Sequence, residues 1–290
     1  MGCGDIGLRV AGLLRGRWRV LALTTDPVRV EPMRRLGIVP LVGDLDRPAT
    51  LARLADLADA VLHLAPPPGS GARDSRTAHL VQALARGSRT RRIVYGSTTG
   101  VYGDCGGERF DETRTVRPST DRARRRVDAE ARLRHFGRVA GVRVTVLRIP
   151  GIYAADRVGG DPRERLRRGT PVLVASDDVY TNHIHADDLA RACVAALHRG
   201  PAPRIVHVSD DTEMKMGDYF DLAADLSGLP RPPRVARAAA GPLLTPMALS
   251  FMSESRRLDN TRLHRELRLT LRYPRVHDGL HGAASMPAVR

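Results

Sequence analysis

Residues 1–7, MGCGDIG, decide how this chain is read. Gly2-x-Gly4-x-x-Gly7 has the spacing of a turn that leads from a strand into a helix and cradles a dinucleotide. In such a turn the first glycine makes the tight exit from the strand. The second lets the backbone approach a pyrophosphate, and the third lets the helix pack closely on the sheet. Only Met1 stands before Gly2, so the strand that should lead into the turn is missing from the sequence. That strand sits at the middle of the sheet. Losing it would leave buried N–H and C=O groups unpaired on both neighbours, at about 1–3 kcal/mol each. The expectation is therefore a strand-forming segment upstream of Met1.

Outward from the turn, apolar runs of two periods alternate. LRVAGLLRG (8–16) places Leu8, Ala11 and Leu14 at helical spacing, and WRVLALTTD (18–26) reads as a strand ending near Asp26. EPMRRLG (31–37) is a short helix, IVPLVGD (38–44) a strand, PATLARLADLA (48–58) a helix, and DAVLHLAPPP (59–68) a strand stopped by prolines. RTAHLVQALARG (76–87) is a helix, RRIVYGSTTGVYG (91–103) a strand running into a glycine-rich turn, and 118–140 a long basic helix. VRVTVLRIPGIY (142–153) is a further strand. Short strands alternating with helices predict an α/β fold with a doubly wound parallel sheet. Such sheets are covered on both faces, which explains the continuously apolar VRVTVLRI. Beyond residue 152 the pattern loosens. YTNHIHADDLARACVAALHRG (180–200) predicts a strand and a helix capped by Asp187 or Asp188, RIVHVSD a strand, and SRRLDNTRLHRELRL (255–269) a last helix before a tail without obvious order.

Composition narrows the partners. The formal charge is +15, and of the 47 basic residues all but Lys215 are arginine. The arginines are spread along the chain with few aromatics between them, which fits a solvated surface and predicts no specific nucleic-acid partner. Cys3, Cys105 and Cys193 form neither a disulfide framework nor a zinc pattern and fit a reducing cytoplasm. The longest apolar run, residues 238–252, is too short to cross a bilayer and holds Pro242 and Pro246.

Several stretches then occur in a telling order: the glycine turn, GDLDRP (43–48), HLAPPPG (63–69), STTGVYGD (97–104), AE at 129–130, LRIPGIY (147–153), TNHIHADDLA (181–190) and HVSDD (207–211). Together they resemble the extended short-chain dehydrogenase/reductase superfamily, in an atypical, epimerase/dehydratase-like branch. The resemblance implies an NAD(P)-binding Rossmann domain over 1–152, to which 183–209 returns, and a smaller substrate-binding lobe over 153–290. It implies that Gly2, Gly4, Asp5, Ile6 and Gly7 hold the pyrophosphate on the N-terminus of the first helix. Asp44 and Leu45 would lie beside the adenine, Leu64, Ala65 and Pro66 along the trough, and Pro150 and Ile152 near the nicotinamide. Asp26, slightly late for a ribose-binding acid, has Thr24, Thr25 and Arg29 beside it; NAD is favoured over NADP. The partner expected is a small molecule, and the protein a monomer or homodimer.

The chemistry departs from the superfamily. Its reaction uses a Tyr-x-x-x-Lys pair and a Ser or Thr, the lysine lowering the tyrosine's pKa from about 10. Thr98, four residues before Tyr102, matches the Ser/Thr. Counting back from Glu130 puts Arg122 at the tyrosine position and Arg126 at the lysine position. Arg126 is a permanent cation that can stand over the ribose. Arg122, with a pKa above about 12, is a poor proton shuttle. Alternatives remain open: an Arg126–Glu130 surface pair, an anion clamp of Arg122, Arg125 and Arg126, or Tyr102 or Tyr153 as a substitute acid. His183, His185, Asp187 and Asp188 resemble a metal cluster only in spacing, and no metal is expected. An oxidoreductase or epimerase-like enzyme acting on a sugar nucleotide or other polar metabolite is the leading reading. A non-catalytic NAD(P)-binding sensor is its rival.

Overall fold

The glycine turn sets the first helix. In the computed structural model, which describes residues 1–284, Gly2 lies at φ +76°, a left-handed conformation that costs glycine little. Gly4 opens α1 (Asp5–Leu14) without a side-chain cap, so the first-turn amides stay free. Then follow β1 (Leu21–Thr24), α2 (Val30–Arg35), β2 (Val39–Val42), β3 (Ala60–His63), α3 (Ser75–Leu84) and β4 (Arg92–Thr98). The four strands fall inside the stretches predicted for them, and α2 and α3 each begin one residue earlier. PATLARLADLA instead forms 3₁₀ turns over Pro48–Leu54, because its buried residues Leu51 and Leu54 lie three apart.

α4 (Asp121–Ala140) begins at Thr120, whose hydroxyl accepts from the Ala123 amide, and ends at Gly141, φ +66°. The strand predicted over 142–153 breaks at Pro150, which offers no N–H to a ladder, into β5 (Arg143–Ile149) and β6 (Gly151–Tyr153). α5 (Pro162–Arg167), β7 (His183–His185), α6 (Ala186–Arg199), β8 (Arg204–His207), α7 (Met216–Ser227) and α8 (Pro246–Phe251) complete the working parts. The cap of α6 is His185, which accepts from the Asp187 amide, rather than either aspartate. Asp188 is buried and receives the amides of Arg272 and Tyr273. The last predicted helix keeps only Thr261–Arg265, and the tail expected to lack order carries a helix over Val276–Ala284.

β8, β5, β4 and β3 pair in that order as a four-stranded parallel sheet. Successive residues of β4 face opposite cores. Ile93 and Tyr95 pack with Leu80, Leu84 and Leu133 of α3 and α4, and Val94 packs with Val10, Leu14 and Leu189 of α1 and α6. Helices on both faces of a parallel sheet are the doubly wound arrangement expected. β6 and β7 form a separate parallel pair, and Tyr153 of β6 enters a third core with Leu166, Leu173 and Phe220.

β1 and β2 also pair in parallel, yet β1 does not pair with β3. Between them runs an apolar slot with a cavity of about 130 Å³, walled by Val20, Leu21 and Leu23 on one side and Ala60 and Leu62 on the other. Met1 lies in it and pairs with β3 alone among the described residues. Its ammonium donates to the Leu62 carbonyl at 2.7 Å and its carbonyl accepts from the Leu64 amide at 2.9 Å, one rung of a parallel ladder. Burial pushes that ammonium down to about 6.

A buried polar chain ties the sheet to α4. Glu130 takes two hydrogen bonds from Arg148 of β5, at 2.7 and 3.2 Å, and one from the Ser97 hydroxyl at 2.5 Å. Arg148 also donates to the Tyr102 hydroxyl at 2.7 Å. Tyr102 bonds His207 Nε2, while His207 Nδ1 lies 2.8 Å from the Asp259 carbonyl. Nδ1 therefore carries the proton, and the ring is neutral. Burial holds His207 down to about 4.

Candidate active site

The parallel strands end at one edge, where open α/β sheets bind ligands. There the residues singled out from the sequence collect. Asp26 follows β1, Asp44 and Leu45 follow β2, Leu64, Ala65 and Pro66 follow β3, Thr98 closes β4, and Pro150 and Ile152 follow β5.

The three glycines have separable reasons. A Cβ on Gly2 would lie 2.3 Å from the Ala65 amide nitrogen, so this position must be bare for the turn to lie against the end of β3. A Cβ on Gly7 would lie 3.0 Å from the Gly2 carbonyl, the close helix packing expected. A Cβ on Gly4 would meet nothing within 4 Å, and its φ of −82° suits any residue. The protein's own packing therefore does not require glycine at position 4. An open face beside uncapped amides fits a diphosphate at the helix terminus.

The flanking residues are less uniform. Ile6 is buried in the core between α1 and α6, and Leu45 packs with Ala65 and Leu80, so both shape the trough from beneath. The Asp5 carboxylate is engaged by Arg9 at 3.0 Å and Arg157 at 2.8 Å. Asp26 caps its own turn, one oxygen accepting from the Val28 amide at 2.9 Å. Arg29 reaches the Cys3 carbonyl inside the glycine turn at 2.5 Å. Asp44 accepts from the Asp46 amide at 2.8 Å.

Thr98, Arg122, Arg126, Pro150 and Ile152 line one cavity of about 530 Å³. Thr98 Oγ1 accepts from the Gly100 amide at 3.2 Å, which leaves its proton to donate outward. Arg126 is fixed from behind: one nitrogen donates to the Gly96 carbonyl at 2.8 Å and the Tyr95 hydroxyl at 3.0 Å. The Arg126–Glu130 pair does not form, because Glu130 serves Arg148. Arg122 lies with its guanidinium 4.8 Å from the centre of the Phe251 ring, and burial lowers its pKa. Arg125 does not join a clamp; its side chain is buried and bonds the Gly71 carbonyl.

Neither tyrosine is suited to act as the missing acid. The Tyr102 hydroxyl sits in the buried chain, pushed up to about 12 by burial. Tyr153 shows the cavity its ring, but its hydroxyl is buried and unpartnered, and a Cβ on Gly279 would lie 2.5 Å from it. Its pKa is pushed well above the ordinary phenol value, chiefly by burial. Among the described residues, no group of three or more His, Cys, Asp or Glu is placed to hold a metal ion. His183 instead stacks on Tyr219, centroids 4.1 Å apart, and burial holds it down to about 3.

The sequence reading missed the far wall of the cavity: His183, Tyr219 and Phe220 with Arg165 of α5 and Phe251 of α8. No local spacing links these segments, and only the packing of the third core brings them together. The adjacent aromatics Tyr219 and Phe220, in a chain with 4% aromatic residues, were the one available signal.

The parallel sheet wound on both faces, the glycine turn at its carboxyl edge and the cavity beside it make this an α/β protein of the Rossmann type. The chain belongs to the NAD dependent epimerase/dehydratase family, whose description matches residues 3–209. It is 29% identical over 244 residues to Protein YeeZ of Escherichia coli strain K12, covering 80% of this chain and 84% of that one. A solved structure of a functionally unknown conserved protein from Silicibacter pomeroyi DSS is 30% identical, with a TM-score of 0.81 over 98% of this chain and 96% of that one. UDP-glucose 4-epimerase from Thermotoga maritima, solved with UDP-glucose, shares the fold at 19% identity, with a TM-score of 0.79 over 98% and 95% of the two chains. Membership carries with it the nicotinamide dinucleotide, NAD or NADP, expected from the sequence. No helix among the described residues is long and apolar enough to cross a membrane.

Proposed function

We propose that this protein is an NAD(P)-dependent epimerase- or oxidoreductase-like enzyme whose proton-transfer residues are not those of its superfamily. One observation carries the reading: Thr98, Arg122 and Arg126 share a single cavity with Pro150 and Ile152, beside a glycine turn whose second glycine faces open space. When bound, the dinucleotide supplies a hydride acceptor and donor at its nicotinamide. The chain does the rest. The first-turn amides of α1 hold the diphosphate, Asp26 and Arg29 flank the ribose, and Asp44, Leu64 and Pro66 border the adenine half. Asp26 favours NAD. Thr98 donates a hydrogen bond from its hydroxyl to an oxygen of the substrate. Arg126, fixed by Gly96 and Tyr95, is a standing positive charge that orients the ribose and does not move a proton. Arg122 binds rather than titrates. In this reading 1–152 with 183–209 hold the dinucleotide and the remainder holds the substrate.

The second reading, a non-catalytic dinucleotide-binding regulator, draws on the same cavity. His183 is held neutral, and arginine does not release its proton at neutral pH. Calorimetry with NAD(H) and NADP(H), followed by nicotinamide absorbance with a panel of sugar nucleotides, separates the two. Binding followed by slow reduction or oxidation supports the enzyme. Binding with no turnover on any substrate supports the regulator, and no binding of either dinucleotide overturns both.

A further inference from the structure

The cavity beside Thr98 carries positive charge that the chain does not neutralise. Arg157 and Arg256, both on its wall, are paired with Asp5 and Glu254. Arg122, Arg126, Arg165 and Arg168 form no ion pair among the described residues. Of the lining carboxylates, Asp161 and Glu254 are taken by Arg163 and Arg256, which leaves Glu164 alone against four guanidinium groups. Arg165 is the most constrained. It lies 4.5 Å from the centre of the Phe220 ring, donates to the Pro171 carbonyl at 3.0 Å, and has a buried Nε with no partner.

The rim beside this charge is apolar. Leu243, Met247 and Phe251 are 56%, 62% and 45% exposed. Met247 and Phe251 lie four apart in α8 and so share one face of that helix, while Leu243 ends the 3₁₀ turn Gly241–Leu243 that precedes it. Phe251 belongs to both features: it lines the cavity, and its ring meets the Arg122 guanidinium. Charge and apolar surface therefore join at one residue. The rim offers no hydrogen-bonding group to a nucleoside, and an exposed contiguous apolar strip rimming a pocket marks a binding surface.

We propose that this cavity takes an amphiphile: an anionic head, phosphate or carboxylate, held by Arg165 and Arg122, and an apolar chain that leaves along Phe251 and Met247 of α8. The inference rests on the proposed function in that it makes this molecule the substrate lying beside the dinucleotide.

The test is calorimetry on the full chain saturated with NAD. The probes are decyl phosphate below its micelle concentration, decanoate, inorganic phosphate and UDP-glucose. Decyl phosphate or decanoate is expected to bind at least tenfold more tightly than inorganic phosphate. Met247→Asp removes that advantage, and Arg165→Gln weakens the alkyl and inorganic phosphates alike. Val139→Asp, at an exposed apolar residue near the end of α4, changes nothing. The two alkyl probes show whether the head is a phosphate or a carboxylate. The proposal is overturned if the alkyl advantage survives Met247→Asp, if UDP-glucose binds more tightly than either alkyl probe, or if sedimentation shows Met247→Asp splitting a dimer. Absence of NAD binding is a separate result. It removes the proposed function, whereas alkyl binding that still depends on Met247 and Arg165 leaves the amphiphile site in place.

Discussion

The glycine turn and the α4 wall of the neighbouring cavity are built on different principles. The first is made of backbone: a bare Gly4, free amides and strand ends. The second is made of side chains, with Arg126 held by Gly96 and Tyr95 while Glu130 beneath it holds Arg148 and Ser97. A backbone site survives large changes of sequence as long as its glycines stand. A charged wall depends on each partner: Arg126 on Gly96 and Tyr95, and Arg148 on Glu130. Shape is thus kept on one side and charge on the other.

The sharpest way to break the contrast is to remove one member of the buried pair. Arg148→Met leaves Glu130 charged and buried, and is expected to cost about 3–5 kcal/mol in urea unfolding. If Glu130→Gln and Arg148→Met each cost less than about 1 kcal/mol, α4 is not held as described. Next comes the slot beside the glycine turn. Five or six β-branched residues fused ahead of Met1 should enter it, bury at least two apolar side chains and add about 3 kcal/mol, seen as a higher Tm. Gly2→Ala follows, with about 1–3 kcal/mol of left-handed strain in addition to the clash with Ala65.

Acid provides a graded test. His183 and His207 are neutral in the fold, at about 3 and 4 against 6.5 when unfolded, so the unfolded chain takes up their protons first. Their stabilisation is complete above pH 6.5 and lost as pH falls from 6.5 toward 4. Asp210, whose carboxyl burial pushes up, works in the opposite sense. Burial also holds His63 and His185 down and pushes Glu112 and Asp178 up, so the reading expected is a difference: removing one such histidine lowers the slope in that window by about 1.4 kcal/mol per pH unit. His207→Gln should show this drop, and a slope that stays the same rules out the assignment. The smallest effect on stability belongs to Gly4→Val, within about 0.5 kcal/mol, because its side chain enters open space. NAD affinity should nonetheless fall at least tenfold by calorimetry, which no purely structural role predicts.

The same division decided what could be read in advance. The glycine turn, strands β3, β4 and β5 and the strand-end residues were legible because backbone constraints leave fixed spacings. Pro150 even marks where the strand breaks. The side-chain wall was legible only as types. Thr98, Arg122 and Arg126 do share a cavity, but the partners of Arg126 proved to be Gly96 and Tyr95 of β4, not Glu130 one turn away. Arg125, adjacent in sequence, turns into the protein. His185 caps α6 although two aspartates follow it, since Asp188 is needed by the amides of Arg272 and Tyr273, eighty residues on. Arg165 and Phe251 come from two short helices that the sequence reading did not place, and only tertiary packing brings them to one cavity with Thr98.

The slot between β1 and β3 has a consequence for how the sheet comes apart. Two strand edges face each other across greasy walls with a single rung between them, and such edges recruit any extended peptide of matching pattern. An extended segment seated there would join the β2–β1 pair to the run β3–β4–β5–β8, so that the two parts of the sheet would open together rather than one after the other.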